Sequence, residues 1–416
     1  LIEPAKKIRA SEFGLREARP LIALQNDSSP WPQPLQNALS RCYYNNMNIL
    51  QLVSSSRTSG AEKHVLVLSE RLRQRGHQVV AVCPPRDWLP EQLRAAGIPT
   101  LELDMRGLSA CAVPMNLTRF LREHRIDLIH AHLTRATYFG LLAGRLARLP
   151  LVSSIHCRTH DVAYRYLFPR HNSRIVAVSD FLKNGLLRKG VPESRIRTIY
   201  NGTEFLEETA AKSAEGDAEV LPVRAELSLP PDAELVGLIA RVEEFKGHLV
   251  LARAVQRIVE ARPRAYFVCV GPVVPQVQRE IWEITGAAGV AERLRFTGMR
   301  DDVRRLMSDM DVLTLPSRYE ACSMSIIEGM AMGKPVVATR AGGNPELIAH
   351  DETGLLIERT PEALADALIA VLADPERRQR MGEAARERAQ TRFSARVMVD
   401  QIEDLYCEIL QSRAAA

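Results

Sequence analysis

Cysteine and aromatic residues are scarce in this chain of 416 residues, which has 7 cysteines and 5% aromatics. The cysteines are scattered and odd in number, and none forms a C-x-x-C pair or a metal-ligand spacing. That argues against a disulfide scaffold or zinc ribbon and predicts reduced thiols in a cytoplasmic protein. No apolar run reaches the roughly 18 to 20 residues that a membrane helix needs. The first 30 residues hold no apolar core of about 7 to 15 residues of the kind a signal peptide carries. Nor is there a G-x-G-x-x-G, which weakens a dinucleotide-dependent oxidoreductase.

What is present is the composition of a soluble globular protein, 46% hydrophobic and 25% charged, with length enough for two domains. Charge is unevenly divided. Met47 to Tyr200 carries a net +12, whereas the chain from Asn201 onward carries −9. Either the two halves meet different partners or the asymmetry is solvated surface alone. No nucleic-acid partner is expected.

Residues 1–46, with the Pro-rich SSPWPQP, show neither helical nor strand period and read as a flexible extension or a misassigned leader. From Met47 short apolar runs alternate with amphipathic stretches. Strand-like runs include NILQLV, VVAVC, DLIHAH, PLVSSI and RIVAVS, and a second series begins at ELVGLIA and continues through AYFVCVG, RLRFTG, DVLTLP and KPVVAT. Between strands lie helical patterns such as AEKHVLVLSERLRQRG, with Gly76 as a stop. This alternation predicts βαβ units and parallel sheets covered on both faces. The polar stretch at 207–222 reads as a linker or exposed insertion. The expected fold class is α/β: two doubly wound domains, 47–202 and 203–393, then a helix over 394–416 that is a candidate for packing back on the first domain.

In open parallel sheets ligands sit beyond the carboxyl ends of the strands, so chemistry is sought in those loops. After ELVGLIA come Arg241 and then Lys246 with Gly247, which open a helix. A lysine there opposes the positive helix end unless an anion joins both, so the pair is either an anion site or merely tolerated. In RYEACSMSIIEGM, Glu320 precedes a helix expected over 325–332. The amide groups from Ala321 through Cys322, Ser323 and Met324 to Ser325 would present a positive helix end. Ser325-x-x-Glu328 fits a capping box, which gives Glu328 a purely local role. ATRAGGNPELI has paired glycines suited to close backbone approach. In the first domain, Ser59 and Gly60 make a small loop after the first strand, and His156 follows PLVSSI at a strand end. Asp309-Met310-Asp311 spells D-x-D but lies at the amino end of its strand, where capping or a turn is the better explanation. His130 and His132 are read as facing opposite sides of their strand, a poor chelating geometry.

With these motifs in view the chain resembles a retaining glycosyltransferase of family 4, with the GT-B fold of two facing Rossmann-like domains. The resemblance rests on SGAEKH, His156, AVSDFLKNGL, IYNGTE, ARVEEFKGH, FTGMRDDV, the block from LPSRYEAC to GGNPELI, and TGLL. It implies sugar transfer from a UDP- or GDP-sugar with retention and without a metal or other cofactor. Arg241 and Lys246 match the diphosphate clamp. Glu320 and Glu328 match the E-x7-E pair, near the donor sugar and the ribose hydroxyls respectively. Gly60 matches the loop near the phosphates and His156 the residue near the anomeric centre, while Gly271 stands in a donor loop. Departures are Glu320-Ala321-Cys322-Ser323 where the family often has E-G-F-G, Pro272 after Gly271 where it often has G-x-G, and Cys157 after His156. The acceptor implied is a glycan or lipid-linked glycan of envelope polysaccharide synthesis. The basic first domain suits an anionic acceptor or the inner face of an anionic membrane. LTRFLREHR has basic and apolar residues at helical spacing, a candidate for interfacial contact or an ordinary surface helix. The competing reading is a non-catalytic nucleotide-sugar-binding or scaffolding subunit that kept the fold.

Overall fold

The computed structural model describes residues 46–158, 163–167, 172–205 and 222–414. The expectations for residues 1–46 and for the polar stretch at 207–222 therefore lie, but for Asn46 and Pro222, outside the described residues. The chain divides into two compact units, one reaching Tyr200 and taking in the helix from Ala395, the other running from Asn201 to Ser394.

The apolar runs become strands, and the central ones are buried on both faces, as parallel strands sandwiched between helices require. In the first unit these are β1 (Asn48–Val53), β2 (Gln78–Cys83), β3 (Thr100–Glu102), β4 (Leu128–His132), β5 (Leu151–Ile155), β6 (Ser173–Ala177) and β7 (Ile196–Thr198). They form one parallel sheet of order β3-β2-β1-β4-β5-β6-β7. Strand order reverses direction between β1 and β4, so the loops after those strands diverge to opposite faces and leave a crevice. The second unit repeats the plan with β8 (Glu234–Ile239), β9 (Ala265–Val270), β10 (Leu294–Gly298), β11 (Val312–Leu315), β12 (Val336–Thr339) and β13 (Gly354–Ile357), in the order β10-β9-β8-β11-β12-β13. Its reversal lies between β8 and β11. The architecture is the GT-B class of paired Rossmann-like domains.

The helix Gly60–Gln74 shows why the local pattern works. Ala61, Val65, Leu68 and Leu72 recur at helical spacing and are buried, and Gly76 closes the end with φ of 93°. The long C-terminal helix Ala395–Ala414 covers the same face of the first sheet. Met398, Val399, Ile402, Leu405, Tyr406, Ile409 and Leu410 join a core with Ile49, Val53, Leu128 and Val152. Arg75 ties it further, 2.7 Å from Asp400 and 2.5 Å from Glu403, and His77 Nε2 lies 2.9 Å from Glu403 Oε1.

LTRFLREHR folds as a surface helix, one of the two readings its spacing allows. In the helix Val113–Glu123, Leu117, Phe120 and Leu121 are buried within their own domain, while Arg119 pairs with Glu123 at 2.6 Å. The apolar stripe faces the core and leaves the charged residues to water. Among the described residues no helix is long and apolar enough to cross a membrane.

Candidate functional site

In the second unit the loops after β8 and β11 meet at the reversal point. The β8 loop carries Arg241, passes through a short 3-10 turn (Glu244–Lys246), and enters the helix His248–Ala261 at Gly247. Lys246 therefore sits just before the helix rather than in its first turn. Gly247 has φ of 89°, and a Cβ there would lie 2.0 Å from the Pro316 carbonyl oxygen, so only glycine lets the β8 loop close on β11. The closure brings Lys246 Nζ within 2.8 Å of Glu320 Oε1. Glu320 is only 7% exposed, so its carboxylate depends on that cation for charge compensation. Arg318 reinforces the junction, its amide donating to the Phe245 carbonyl at 2.7 Å.

Two further loops press against the same spot. Gly342 has φ of 59° and a Cβ there would sit 1.9 Å from the Glu320 carbonyl oxygen, which also accepts from the Gly343 amide at 2.9 Å. Gly271 follows β9 and lies against the Ala240 carbonyl and the Arg241 amide. The Arg241 side chain is half-exposed, its Nε 3.9 Å from Glu243 Oε1. Arg241, Lys246, Gly271, Glu320 and the paired glycines thus lie on the loops that follow the carboxyl ends of β8, β9, β11 and β12. A half-exposed arginine, a lysine next to a helix start and backbone drawn in by glycine suit a polyanion, while Glu320 suits hydroxyl donors.

The helix expected at 325–332 runs Met324–Ala331, and the capping box is not the one read from sequence. Ser323 is the N-cap, its Oγ accepting from the Ile326 amide at 3.5 Å, with Ser325 Oγ 3.1 Å away. Glu328 therefore stands beyond the first turn, too far along to return to the cap, and is half-buried on the helix surface. Ala321, Cys322 and Met324 are buried around the helix entry. The Cys322 carbonyl accepts from Asn201 Nδ2 at 3.2 Å, and burial pushes the Cys322 thiol up to about 12, which removes it as a nucleophile. The D-x-D acids are engaged locally. Asp309 accepts from the Val223 amide at 3.1 Å, and Asp311 from the Leu235 amide at 2.8 Å.

In the first unit Gly60 begins the helix after β1, and Ser59 is its N-cap residue without capping it. The Ser59 hydroxyl turns instead to Glu62, leaving the first-turn amides uncapped by that side chain. His156 follows β5 and is half-buried. The reading of His130 and His132 needs correction. Alternate strand residues share a face, so the two stand together, with ring centroids 4.2 Å apart. They form a buried network that sequence reasoning missed. His132 Nδ1 lies 3.2 Å from His156 Nε2, and His132 Nε2 lies 2.7 Å from Gln51 Oε1. His130 meets Ser154 Oγ at 2.8 Å and the Tyr406 hydroxyl of the C-terminal helix at 2.5 Å. The His64 ring abuts His156 edge-on at 4.8 Å. Burial, then the neighbouring imidazoles, hold His130, His132 and His156 well below the usual histidine range, so all are neutral at pH 7. His64, His132 and His156 are also the described group best placed for a metal, with ligand atoms within 4.8 Å of one another. Both nitrogens of His132 already have partners inside the domain. The missed signals were the period of two in DLIHAH and the histidine of SGAEKH.

Residues 58–205 match Glycosyltransferase Family 4, and residues 233–374 match Glycosyl transferases group 1. A D-inositol 3-phosphate glycosyltransferase of Corynebacterium efficiens is 30% identical over 68% of this chain and 71% of its own length. The lipopolysaccharide core biosynthesis glycosyltransferase LpsE of Rhizobium meliloti is 28% identical over 85% of this chain and 96% of its own. A UDP-Gal:alpha-D-GlcNAc-diphosphoundecaprenol alpha-1,3-galactosyltransferase of Escherichia coli is 24% identical over 85% and 95%. Among solved structures, a glycosyltransferase of Rickettsia africae superposes with a TM-score of 0.78 at 23% identity, covering 88% of this chain and 99% of its own. Anabaena HepE in complex with UDP and glucose gives 0.74 at 23%, covering 86% and 98%.

Proposed function

Because this chain belongs to glycosyltransferase family 4, we propose that it moves a sugar from a nucleoside-diphosphate donor to a glycan or lipid-linked acceptor. Transfer proceeds with retention at the anomeric carbon and without a metal. The observation that carries the reading is the 2.8 Å contact of Lys246 with Glu320 at the β8/β11 reversal. It joins a phosphate-binding cation to a hydroxyl-binding acid at the one place in the sheet where loops diverge to admit a ligand.

As the bond from the anomeric carbon to the diphosphate breaks, negative charge collects on the leaving group. Arg241, Lys246 and the amides at the start of Met324–Ala331 are fixed donors around that charge, and preorganised donors of this kind lower a barrier most when water is excluded. Glu320 orients the sugar hydroxyls and Glu328 the ribose. Glu320, the acid these loops bring to the site, is paired with Lys246 and is not set apart as the nucleophile of a retaining hydrolase would be. A same-face displacement, in which the departing phosphate takes the acceptor proton, fits these residue types. The names of the Rhizobium and Escherichia relatives support an envelope glycan acceptor, and the basic first half suits an anionic one. UDP or GDP is the expected nucleotide.

The test is a panel of UDP-, GDP- and ADP-sugars assayed for nucleotide release with and without bacterial envelope lipid, repeated with a chelator. Turnover of one donor, undiminished by chelator and with the product anomer matching the donor, is expected. Tight nucleotide binding without turnover would instead favour a non-catalytic subunit.

A further inference from the structure

We propose that Gln51 and His132 are positioning residues that set the proton on His156, holding its hydrogen on Nε2 and leaving Nδ1 as a bare acceptor for a substrate hydroxyl. This rests on the reading of His156 as the residue near the anomeric centre.

The chain of bonds begins midway along β1. Gln51 is fully buried, and its Oε1 lies 2.7 Å from His132 Nε2. A carbonyl oxygen only accepts, so that nitrogen carries the hydrogen. His132 is 0% exposed and packed among imidazoles, and a second proton would place an uncompensated charge in the core. Its Nδ1 is therefore a lone pair. The group facing that lone pair at 3.2 Å is His156 Nε2, which must be the donor. A neutral imidazole has one N–H, so His156 Nδ1 is unprotonated. That atom is buried and meets no hydrogen-bond partner. A buried acceptor left unmet is costly, and a ligand hydroxyl brought within reach would recover that cost.

Register explains how the relay is built. Gln51 pairs with His130 and Val53 with His132 across β1 and β4, so Gln51, His130 and His132 share one face. His132 pairs with Ser154 across β4 and β5, which brings the end of β4 beside His156. Behind the relay, His130 is pinned between Ser154 and Tyr406 and packs on His132. Gln51 and His132 touch no substrate in this scheme; they act through His156.

Histidine-selective 15N labelling of the full chain, read by long-range 1H–15N correlation at pH 7.5, tests the proton arrangement directly. Nε2–H on both His132 and His156 is expected; Nδ1–H on His156 would overturn the proposal. Gln51→Met removes the accepting oxygen and is expected to lower kcat for nucleotide release from UDP-glucose about 100-fold at unchanged KM. Gln51→Glu sets a carboxylate against His132 Nε2 that compensates a second proton on that ring, so His132 is expected to gain Nδ1–H, the His156 hydrogen to move to Nδ1 and kcat to fall as in Gln51→Met. Equal kcat in wild type and either variant would sink the positioning role. A wild-type chain idle on every nucleotide sugar would remove the transferase reading, and the tautomers would still decide the relay.

Discussion

Lys246 and Glu320 neutralise each other in the absence of ligand, and a bound diphosphate would compete for the same ammonium. Lys246→Ala therefore removes two things, a counter-ion for phosphate and the partner of a nearly buried carboxylate. Turnover should fall about 100-fold or more, as when one fixed transition-state donor is lost. The accompanying destabilisation should lie between the about 0–1 kcal/mol of an exposed pair and the about 3–5 kcal/mol of a buried one. Glu320→Gln keeps the shape, loses the charge and should lower turnover with little change in melting temperature. Steady-state assay and thermal unfolding of both variants check this, and wild-type activity in either would remove that residue from the site. Cys322→Ala should behave differently. The thiol is buried and held protonated, so the variant should keep turnover within a few-fold and lose only modest packing. A loss of 100-fold would mean that the cysteine meets the donor.

The site is made of elements that only glycine allows to touch. At Gly342 a side chain would run into the Glu320 backbone, and the φ of 59° is itself unfavourable for other residues. Gly342→Ala should destabilise the second unit by about 1–3 kcal/mol and displace Glu320, lowering turnover well beyond what the stability loss explains. Thermal unfolding beside the nucleotide-release assay separates the two effects. At this scale the strands were legible because buried parallel strands are continuous apolar runs. β3, β7 and β13 were not among the runs read as strands: β3 and β7, at 3 residues each, are too short to carry a period, and pairing with a neighbour is what makes them strands. The true N-cap was missed for a related reason. Ser323 and Ser325 are both competent caps, and only the path of the chain after Glu320 selects Ser323.

For the molecule as a whole, the C-terminal helix belongs to the domain farthest from it in sequence. The 7 side chains it adds to that core, Met398 to Leu410, at about 1.5–3 kcal/mol each amount to roughly 10 kcal/mol or more, comparable with the entire stability of a typical domain. Deleting residues 395–416 should unfold the first unit and spare the second, which limited proteolysis with mass spectrometry would reveal; a resistant first unit would contradict the packing. Acid should act on the same unit. His130 and His132 are neutral when folded and titrate near 6.5 when unfolded, so the unfolded chain binds more protons as pH falls. Stability is full above about pH 6.5 and declines below it, approaching about 1.4 kcal/mol per pH unit for each histidine until its lowered folded value is reached. Melting curves between pH 7.5 and 5 should show that loss, and a flat profile would mean that the rings are already charged or solvated.

The sequence alone determined the α/β class, the two-fold repetition of the doubly wound plan and the loops in which to look, because hydrophobic period and turn residues are local properties. It also singled out Arg241, Lys246 and Glu320 as loop residues at strand ends. Only the tertiary structure decided that Lys246 and Glu320 touch across 74 positions, since β8 and β11 are neighbours through sheet order and not through the chain. It likewise decided the relay from Gln51 through His132 to His156, because a hydrogen bond depends on register between strands. Tyr406 reaches that layer from 276 residues away, brought there by a helix that buries its apolar face on the first sheet.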